Sequence, residues 1–171
     1  MAIPPARLIE VMNRQKDARV EVRRLREWAE AALESMGCTC ELGIHLVGAI
    51  EMAEVNWKFL QHQGSTDVIT FDHGSTREHL HGELYISVAD AILQAAEFNT
   101  FWPEELGRYI IHGMLHLQGE DDLEPVARRQ MKKRENQLVR QVGSVVPPEN
   151  LESRAAGTGS ASRRPRTPPH G

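Results

Sequence analysis

Residues 109–125, YIIHGMLHLQGEDDLEP, combine an apolar helical pattern with two histidines and a run of carboxylates. A helix that is apolar on nearly every side is normally buried. A buried imidazole needs a hydrogen-bond partner or a metal ion, because an unpaired polar group in an apolar interior is costly. The segment therefore predicts a buried helix that carries functional or hydrogen-bonded histidines. The apolar residues of this pattern are Ile110, Ile111, Met114, Leu115 and Leu117.

The spacing of the polar residues in this segment indicates a metal site. His112 and His116 are four residues apart, so they share a helix face with Cβ atoms roughly 5–6 Å apart. Gly119 can end the helix and turn the chain back, and Asp122 follows three residues later. The pattern H-x-x-x-H-x-x-G-x-x-D has metzincin spacing with aspartate in place of the third histidine, and zinc accepts carboxylate oxygen. We expect His112, His116 and Asp122 to bind one divalent ion, Zn²⁺, with a fourth position for water; two hydrogen-bonded core histidines are the alternative.

Position 113 separates this pattern from that of a peptidase. Metalloproteases carry glutamate directly after the first histidine as a general base, whereas this chain has Gly113. Because glycine cannot accept a proton, peptidase activity is disfavoured. Glu120 and Asp121 are either candidate bases or solvated turn residues, so the general base is left unassigned.

The remaining segments predict an α+β fold with a small mixed four-stranded sheet and the metal-binding helix buried against it. A ten-residue loop, 73–82, is short enough to join an antiparallel pair of strands. We expect a single domain over residues 1–142, and a disordered Pro-, Ser- and Arg-rich tail over residues 143–171. The predicted strands are RLIEVMNRQ (7–15), ELGIHLVG (41–48), STDVITFD (65–72) and ELYIS (83–87), and the predicted helices are 20–37, 49–64, 89–98, 103–119 and 124–143.

The amino-acid composition excludes some classes of protein. The 171 residues carry a formal charge of -4 and two cysteines. They contain no apolar run of membrane-spanning length and no secretory signal pattern, so we expect a cytoplasmic protein without a membrane partner.

Because the net charge is negative, any contact with nucleic acid has to come from a local basic patch. The run RRQMKKRE (128–135) is either such a patch or a solvated helix face, and the H-x-H pair of His79 and His81 is either a metal pair or part of a polar loop.

The string HGMLHLQGEDD (112–122) resembles the H-G-x-L-H-L-x-G-Y-D-H motif of the YbeY endoribonucleases, also called rRNA maturation factors. Two upstream blocks are similar as well: NWKF (56–59) with STDVITF (65–71) resembles N-x-x-Y/F followed by P-T-D-V-L-S-F, and GELYIS (82–87) resembles G-[DE]-[IL]-x-I-S. The resemblance runs from about Leu8 to Val142.

The resemblance implies a zincin-like fold, a bound divalent ion and a single-strand-specific endoribonuclease. It further implies a role in small-subunit (16S) rRNA maturation and ribosome quality control. The partners would be rRNA precursor, the small ribosomal subunit and its assembly factors. A ribosome-biogenesis binding factor with a structural zinc is the main alternative, and a zincin-like metallopeptidase is the less favoured one.

Three positions depart from the family pattern. The third histidine of the family is replaced by Asp122, and the tyrosine of the histidine block by Glu120. Many members carry an arginine suited to RNA phosphate where this chain has Leu60. Either Lys58 or the arginines of the last helix replace that cation, or RNA is held differently.

Overall fold

Four strands form a mixed sheet in the computed structural model, which describes residues 6–60 and 67–153. The strands are β1 (Arg7–Asn13), β2 (Thr39–Val47), β3 (Val68–Asp72) and β4 (His79–Ser87). The helices are α1 (Val22–Met36), α2 (Ala49–Val55), α3 (Val88–Phe98), α4 (Trp102–Leu117) and α5 (Pro125–Val145). A π-helical turn, Asn56–Leu60, continues α2, and a 3₁₀ turn, Pro148–Leu151, follows α5.

The strand order in the sheet is β1-β2-β4-β3. Both β1–β2 and β2–β4 are parallel pairs, which require crossover connections; α1 lies in the first and α2 in the second. The short connection from β3 to β4 joins an antiparallel pair that runs from Val68 opposite Ile86 to Asp72 opposite Gly82. The predicted α+β class, the mixed sheet and the antiparallel pair are confirmed.

Helix α4 lies directly on β4 in the centre of the core. Ile110, Ile111, Met114 and Leu115 are fully buried, as the apolar pattern predicts. The approach is close at Gly113, where an added Cβ would lie 2.7 Å from Leu84 Cδ2. A side chain at position 113 would therefore have to displace the buried Leu84 side chain, and glycine avoids this contact.

The ordered chain extends beyond residue 142, where the sequence places the end of the domain. Val146 and Leu151 belong to the core, and Leu151 is fully buried. Its carbonyl accepts a hydrogen bond from the Glu21 backbone N at 2.8 Å, and the Ser153 N donates to the Arg19 carbonyl at 2.8 Å. The prediction that the tail begins at residue 143 is therefore wrong for 143–153, because two separated apolar residues suffice to anchor a Pro-rich segment. Residues 154–171 lie outside the described part of the chain.

Two element boundaries also differ from the prediction. Strand β4 begins at His79, so His79 and His81 lie on a strand and not in a loop. The second helix changes to π-helical turns at Asn56, and its predicted end near Gly64 is outside the described residues. Within residues 6–60 and 67–153, no helix is both long and apolar enough to cross a membrane.

Candidate metal centre

Helix α4 presents His112 and His116 near its C-terminal end, and the turn that follows brings Asp122 back to them. Gly119 has a φ of 103°, in the left-handed region that side chains disfavour. The Gly119 N donates to the His116 carbonyl and the Glu120 N to the Leu115 carbonyl, each at 3.0 Å. These bonds close the helix and reverse the chain, as the glycine position predicts.

The three predicted side chains lie together. His112 Nε2 is 3.1 Å from His116 Nε2, and Asp122 Oδ2 is 3.6 Å from the first nitrogen and 3.5 Å from the second. Ligands bound tetrahedrally to zinc at about 2.0–2.1 Å would be about 3.3 Å apart. The triangle therefore has the size of one face of a zinc tetrahedron. In the described part of the chain it is the one group of three His, Cys, Asp or Glu side chains close enough to share an ion.

The hydrogen-bond partners of the two Nδ1 atoms determine which nitrogen of each imidazole carries the proton. His116 Nδ1 lies 3.1 Å from the Glu120 carbonyl, which only accepts hydrogen bonds, so Nδ1 carries the proton. His112 Nδ1 lies 2.7 Å from Glu135 Oε1 and donates to that carboxylate. Each Nε2 then has a lone pair directed at the other, an arrangement that requires a shared proton or a cation. The donor set therefore fits a divalent ion.

Glu135, which the metal-site pattern of the sequence does not include, is a buried partner of His112. It is 3% exposed, and its Oε2 accepts from Arg108 Nη1 at 3.0 Å and from Lys132 Nζ at 3.2 Å. Burial alone would raise the Glu135 pKa, but the hydrogen bond to His112 and the cations of Lys132 and Arg108 lower it to about 2. A signal for this residue was present, since Glu135 lies on the apolar stripe of α5 formed by Met131, Leu138, Val139 and Val142.

The same contact changes the basicity of His112. Burial lowers the His112 pKa, but the hydrogen bond and charge of Glu135 outweigh it and raise the pKa above its ordinary value. The charges of Asp122 and Asp67 act in the same direction. Asp67 belongs to the T-D pair of the family block, and this electrostatic effect places it in the neighbourhood of the site; its neighbour Thr66 lies outside the described residues.

The two candidate bases have structural partners. Glu120 Oε1 accepts from Arg134 Nη1 at 2.9 Å, and Asp121 Oδ1 accepts from the Leu123 backbone N at 2.8 Å. Both carboxylates therefore hold the turn, and neither contact assigns a general base.

His79, His81 and the two cysteines do not belong to the group of three side chains that could share an ion. His79 Nδ1 is 2.6 Å from Thr39 Oγ1, and His81 Nε2 is 3.6 Å from Glu41 Oε2. His81 alternates along β4 with Leu80 and Gly82, so it lies on the sheet face opposite α4. Cys38 and Cys40 are buried, which raises the pKa of both thiols, that of Cys40 to about 11. Protonated thiols are poor metal ligands.

Comparison with known proteins supports the resemblance seen in the sequence. The family model described as endoribonuclease YbeY matches residues 10–143. The chain is 37% identical to the endoribonuclease YbeY of Parabacteroides distasonis over 113 residues, which cover 66% of this chain and 79% of that protein. It is also 37% identical to the endoribonuclease YbeY of Bacteroides fragilis over 125 residues, 70% of this chain and 86% of that protein.

The fold is similar to a known structure as well. The solution structure of a Thermotoga maritima protein matches with a TM-score of 0.64 and 26% identity, over 89% of this chain and 100% of that one. The family resemblance and the fold class drawn from the sequence are therefore confirmed.

Proposed function

The chain belongs to the YbeY family of endoribonucleases, and we propose that it is a metal-dependent, single-strand-specific endoribonuclease of small-subunit (16S) rRNA maturation and ribosome quality control. Its proposed partners are rRNA precursor, the small ribosomal subunit and its assembly factors, in the cytoplasm. The single observation that carries metal dependence is the triangle of His112, His116 and Asp122 with both Nε2 lone pairs turned inward.

In this proposal His112, His116 and Asp122 bind one divalent ion, taken as Zn²⁺. Such an ion would act as a Lewis acid toward a phosphoryl oxygen and would make water a stronger acid at neutral pH. The protein orients the two imidazoles through their Nδ1–H groups, and the Asp122 carboxylate offsets part of the ionic charge. The centre is half-buried and open to a substrate, since the His116 and Asp122 side chains are 27% and 38% exposed.

Gly113 is the observation that disfavours the peptidase alternative. A glutamate at this position would place its Cβ 2.7 Å from Leu84 Cδ2, and Leu84 is fully buried in the core. A general base at this position, as metalloproteases carry it, would therefore have to displace a core side chain.

The surface around Leu60 supports RNA binding by stacking. Leu60 is exposed where many members of the family carry arginine, and Trp57, Lys58 and Phe59 beside it are exposed as well. Aromatic rings next to a cation are the combination on which single-stranded nucleic acids stack. Lys58 is thus the proposed replacement for the family arginine.

A structural role for the metal is the second candidate function. It is favoured by the side chains of Glu120 and Asp121, which hold the turn and so leave the centre without an assigned base. In that case the protein would bind ribosomal RNA and the ion would serve stability.

The test compares metal-depleted protein with protein reloaded with Zn²⁺ on single-stranded and duplex segments of 16S rRNA precursor. We expect cleavage of the single-stranded RNA only after reloading. Asp122→Asn should weaken zinc binding by more than the roughly 10- to 100-fold loss that follows removal of a residue that only hydrogen-bonds a metal ligand, and it should abolish cleavage. Asp121→Asn is the matched control, because the amide oxygen can still accept from the Leu123 N, and it should bind zinc normally.

Three results would contradict parts of the proposal. Full zinc stoichiometry in Asp122→Asn would remove this residue from the ligand set. Cleavage of casein without cleavage of RNA would favour the peptidase. Zinc binding and RNA binding without cleavage in the wild-type protein would favour the binding factor.

A further inference from the structure

Helix α5 holds the turn that carries the metal ligands through side chains of its basic run. Arg134 Nη1 donates to Glu120 Oε1 at 2.9 Å. Arg128 Nε donates to the Asp122 carbonyl at 2.9 Å, and Arg128 Nη2 to the Leu123 carbonyl at 3.3 Å. Arg128 and Arg134 of the basic run therefore donate hydrogen bonds to other parts of the protein.

Arg134 is linked to His116, one of the proposed ligands, through Glu120. Glu120 is held at its backbone N by the Leu115 carbonyl at 3.0 Å and at its carboxylate by Arg134. With both ends fixed, its carbonyl is directed at His116 Nδ1 at 3.1 Å. The ion pair is partly shielded from water, with side-chain exposures of 31% for Arg134 and 23% for Glu120.

Each of the three ligands is thus tied to one α5 side chain. His112 is held directly by Glu135, His116 by Arg134 through Glu120, and Asp122 by Arg128 through its own carbonyl. We propose that α5 is the positioning element of the metal centre, with Arg134 and Arg128 as positioning residues for His116 and Asp122. This inference rests on the proposed function, since it takes the three residues as ligands.

The Glu120–Arg134 pair also gives a role to Glu120, which replaces the tyrosine of the family motif. The family motif has tyrosine there, whereas this chain has a carboxylate that pairs with a cation 14 residues further along. The pair links the turn to α5 by charge. Replacing one partner alone leaves the other half-buried and unpaired, so the two substitutions should be coupled.

The experiment measures the zinc dissociation constant of the full chain by competition with a chromophoric chelator. We expect Arg134→Gln and Arg128→Gln each to raise it about tenfold, the lower end of the range for residues that orient metal ligands. Arg134→Lys should restore part of the affinity, and the double variant Glu120→Gln/Arg134→Gln should be no weaker than the weaker single variant. Arg129→Gln, which removes an exposed arginine from the same helix, should change the constant less than twofold.

A second measurement separates positioning from stability. The ¹⁵N shifts of the His116 ring in metal-free protein report which nitrogen carries the proton, and Arg134→Gln should lose the preference for Nδ1–H. The thermal midpoint of each metal-free variant shows whether it is folded at the temperature of the titration. Where Arg134→Gln is not folded, Glu120→Gln is the variant to use, with the same expected direction.

The outcomes are distinguishable. If the folded variants bind zinc as the wild type does, or if Arg129→Gln weakens binding equally, α5 is not the positioning element, while the proposed function stands. If His116→Ala binds zinc as tightly as the wild type does, His116 is not a ligand. The proposed ligand set is then wrong, and so is the positioning role of α5.

Discussion

Glu135 is a charged residue on the apolar stripe of a helix, and its three partners explain why it stays ionised. A buried carboxylate without partners would take up a proton, because desolvation disfavours the charged form. Here the His112 ring, Arg108 and Lys132 all donate to it, and the balance lowers the Glu135 pKa from 4.5 to about 2. At the scale of a single residue, the chain uses one buried charge to orient the His112 ring.

This pKa predicts how acid destabilises the metal-free protein. A carboxylate whose pKa is lower in the folded state contributes stability above its unfolded-state pKa, and loses it as pH falls toward the folded-state pKa. The Glu135 contribution should therefore be complete above pH 5 and should decrease between about pH 4.5 and pH 2. At pH 3 about 2 kcal/mol of it should be lost.

Urea denaturation of metal-free protein at pH 7, 5 and 3 tests this expectation. The free energy of unfolding of Glu135→Gln should fall less between pH 5 and pH 3 than that of the wild type. Glu10→Gln, at an exposed position on β1, is the matched control and should follow the wild type. Identical pH dependence in all three proteins would contradict a low folded-state pKa for Glu135.

At the scale of an element, α4 is placed by glycines that allow close approach. Trp28 of α1 packs against the backbone at Gly107, where its Nε1–H donates to the Gly107 carbonyl at 3.0 Å. An added Cβ at Gly107 would lie 2.6 Å from Trp28 Cζ2. Because an indole ring in a filled core cannot move away cheaply, this contact fixes the distance between the two helices.

A pair of alanine substitutions tests this packing. Gly107→Ala should destabilise the protein by about 1–3 kcal/mol, as overpacking in a core does. Gly143→Ala in α5 should stabilise it by roughly 0.5–1 kcal/mol through helix propensity, because its Cβ would meet Pro148 at an ordinary 3.7 Å. Chemical denaturation measures both, and a Gly107→Ala variant as stable as the wild type would contradict the close α1–α4 contact.

At the scale of the whole molecule, the segment after α5 closes the core. The 3₁₀ turn carries Leu151 into the cluster that also contains Trp28 and Leu106. An isolated antiparallel bridge between Val20 and Glu152 ties this segment to the residues that precede α1. The chain after residue 142 is therefore part of the domain at least as far as residue 153.

Truncating the anchor of this segment should lower stability. Leu151→Ala should cost about 2–5 kcal/mol, the usual range for a fully buried leucine, whereas Val145→Ala at a largely exposed position should stay within about 0.5 kcal/mol. Thermal unfolding of the two variants gives the comparison. Equal stabilities would place Leu151 outside the cooperative core.

Features that depend on short separations along the chain could be predicted from the amino-acid sequence. The α4 helix, its burial, the turn at Gly119 and the proximity of His112, His116 and Asp122 all lie within residues 102–122. Helical periodicity and one left-handed glycine are enough to place them, because such geometry is set by the local backbone.

The distant residues that support this segment could not be predicted, because their contacts arise from the packing of separate elements. Glu135 follows His112 by 23 residues and Arg134 follows Glu120 by 14, and their contacts depend on how α5 crosses the turn. Leu151 and the Gly113–Leu84 contact likewise depend on the packing of separate elements. Composition predicts a disordered tail from residue 143, and it leaves the basic run of α5 either as a solvated face or as a contact for RNA. Packing overrides the predicted disordered tail up to residue 153, because burial and pairing of a few side chains outweigh the average character of a segment.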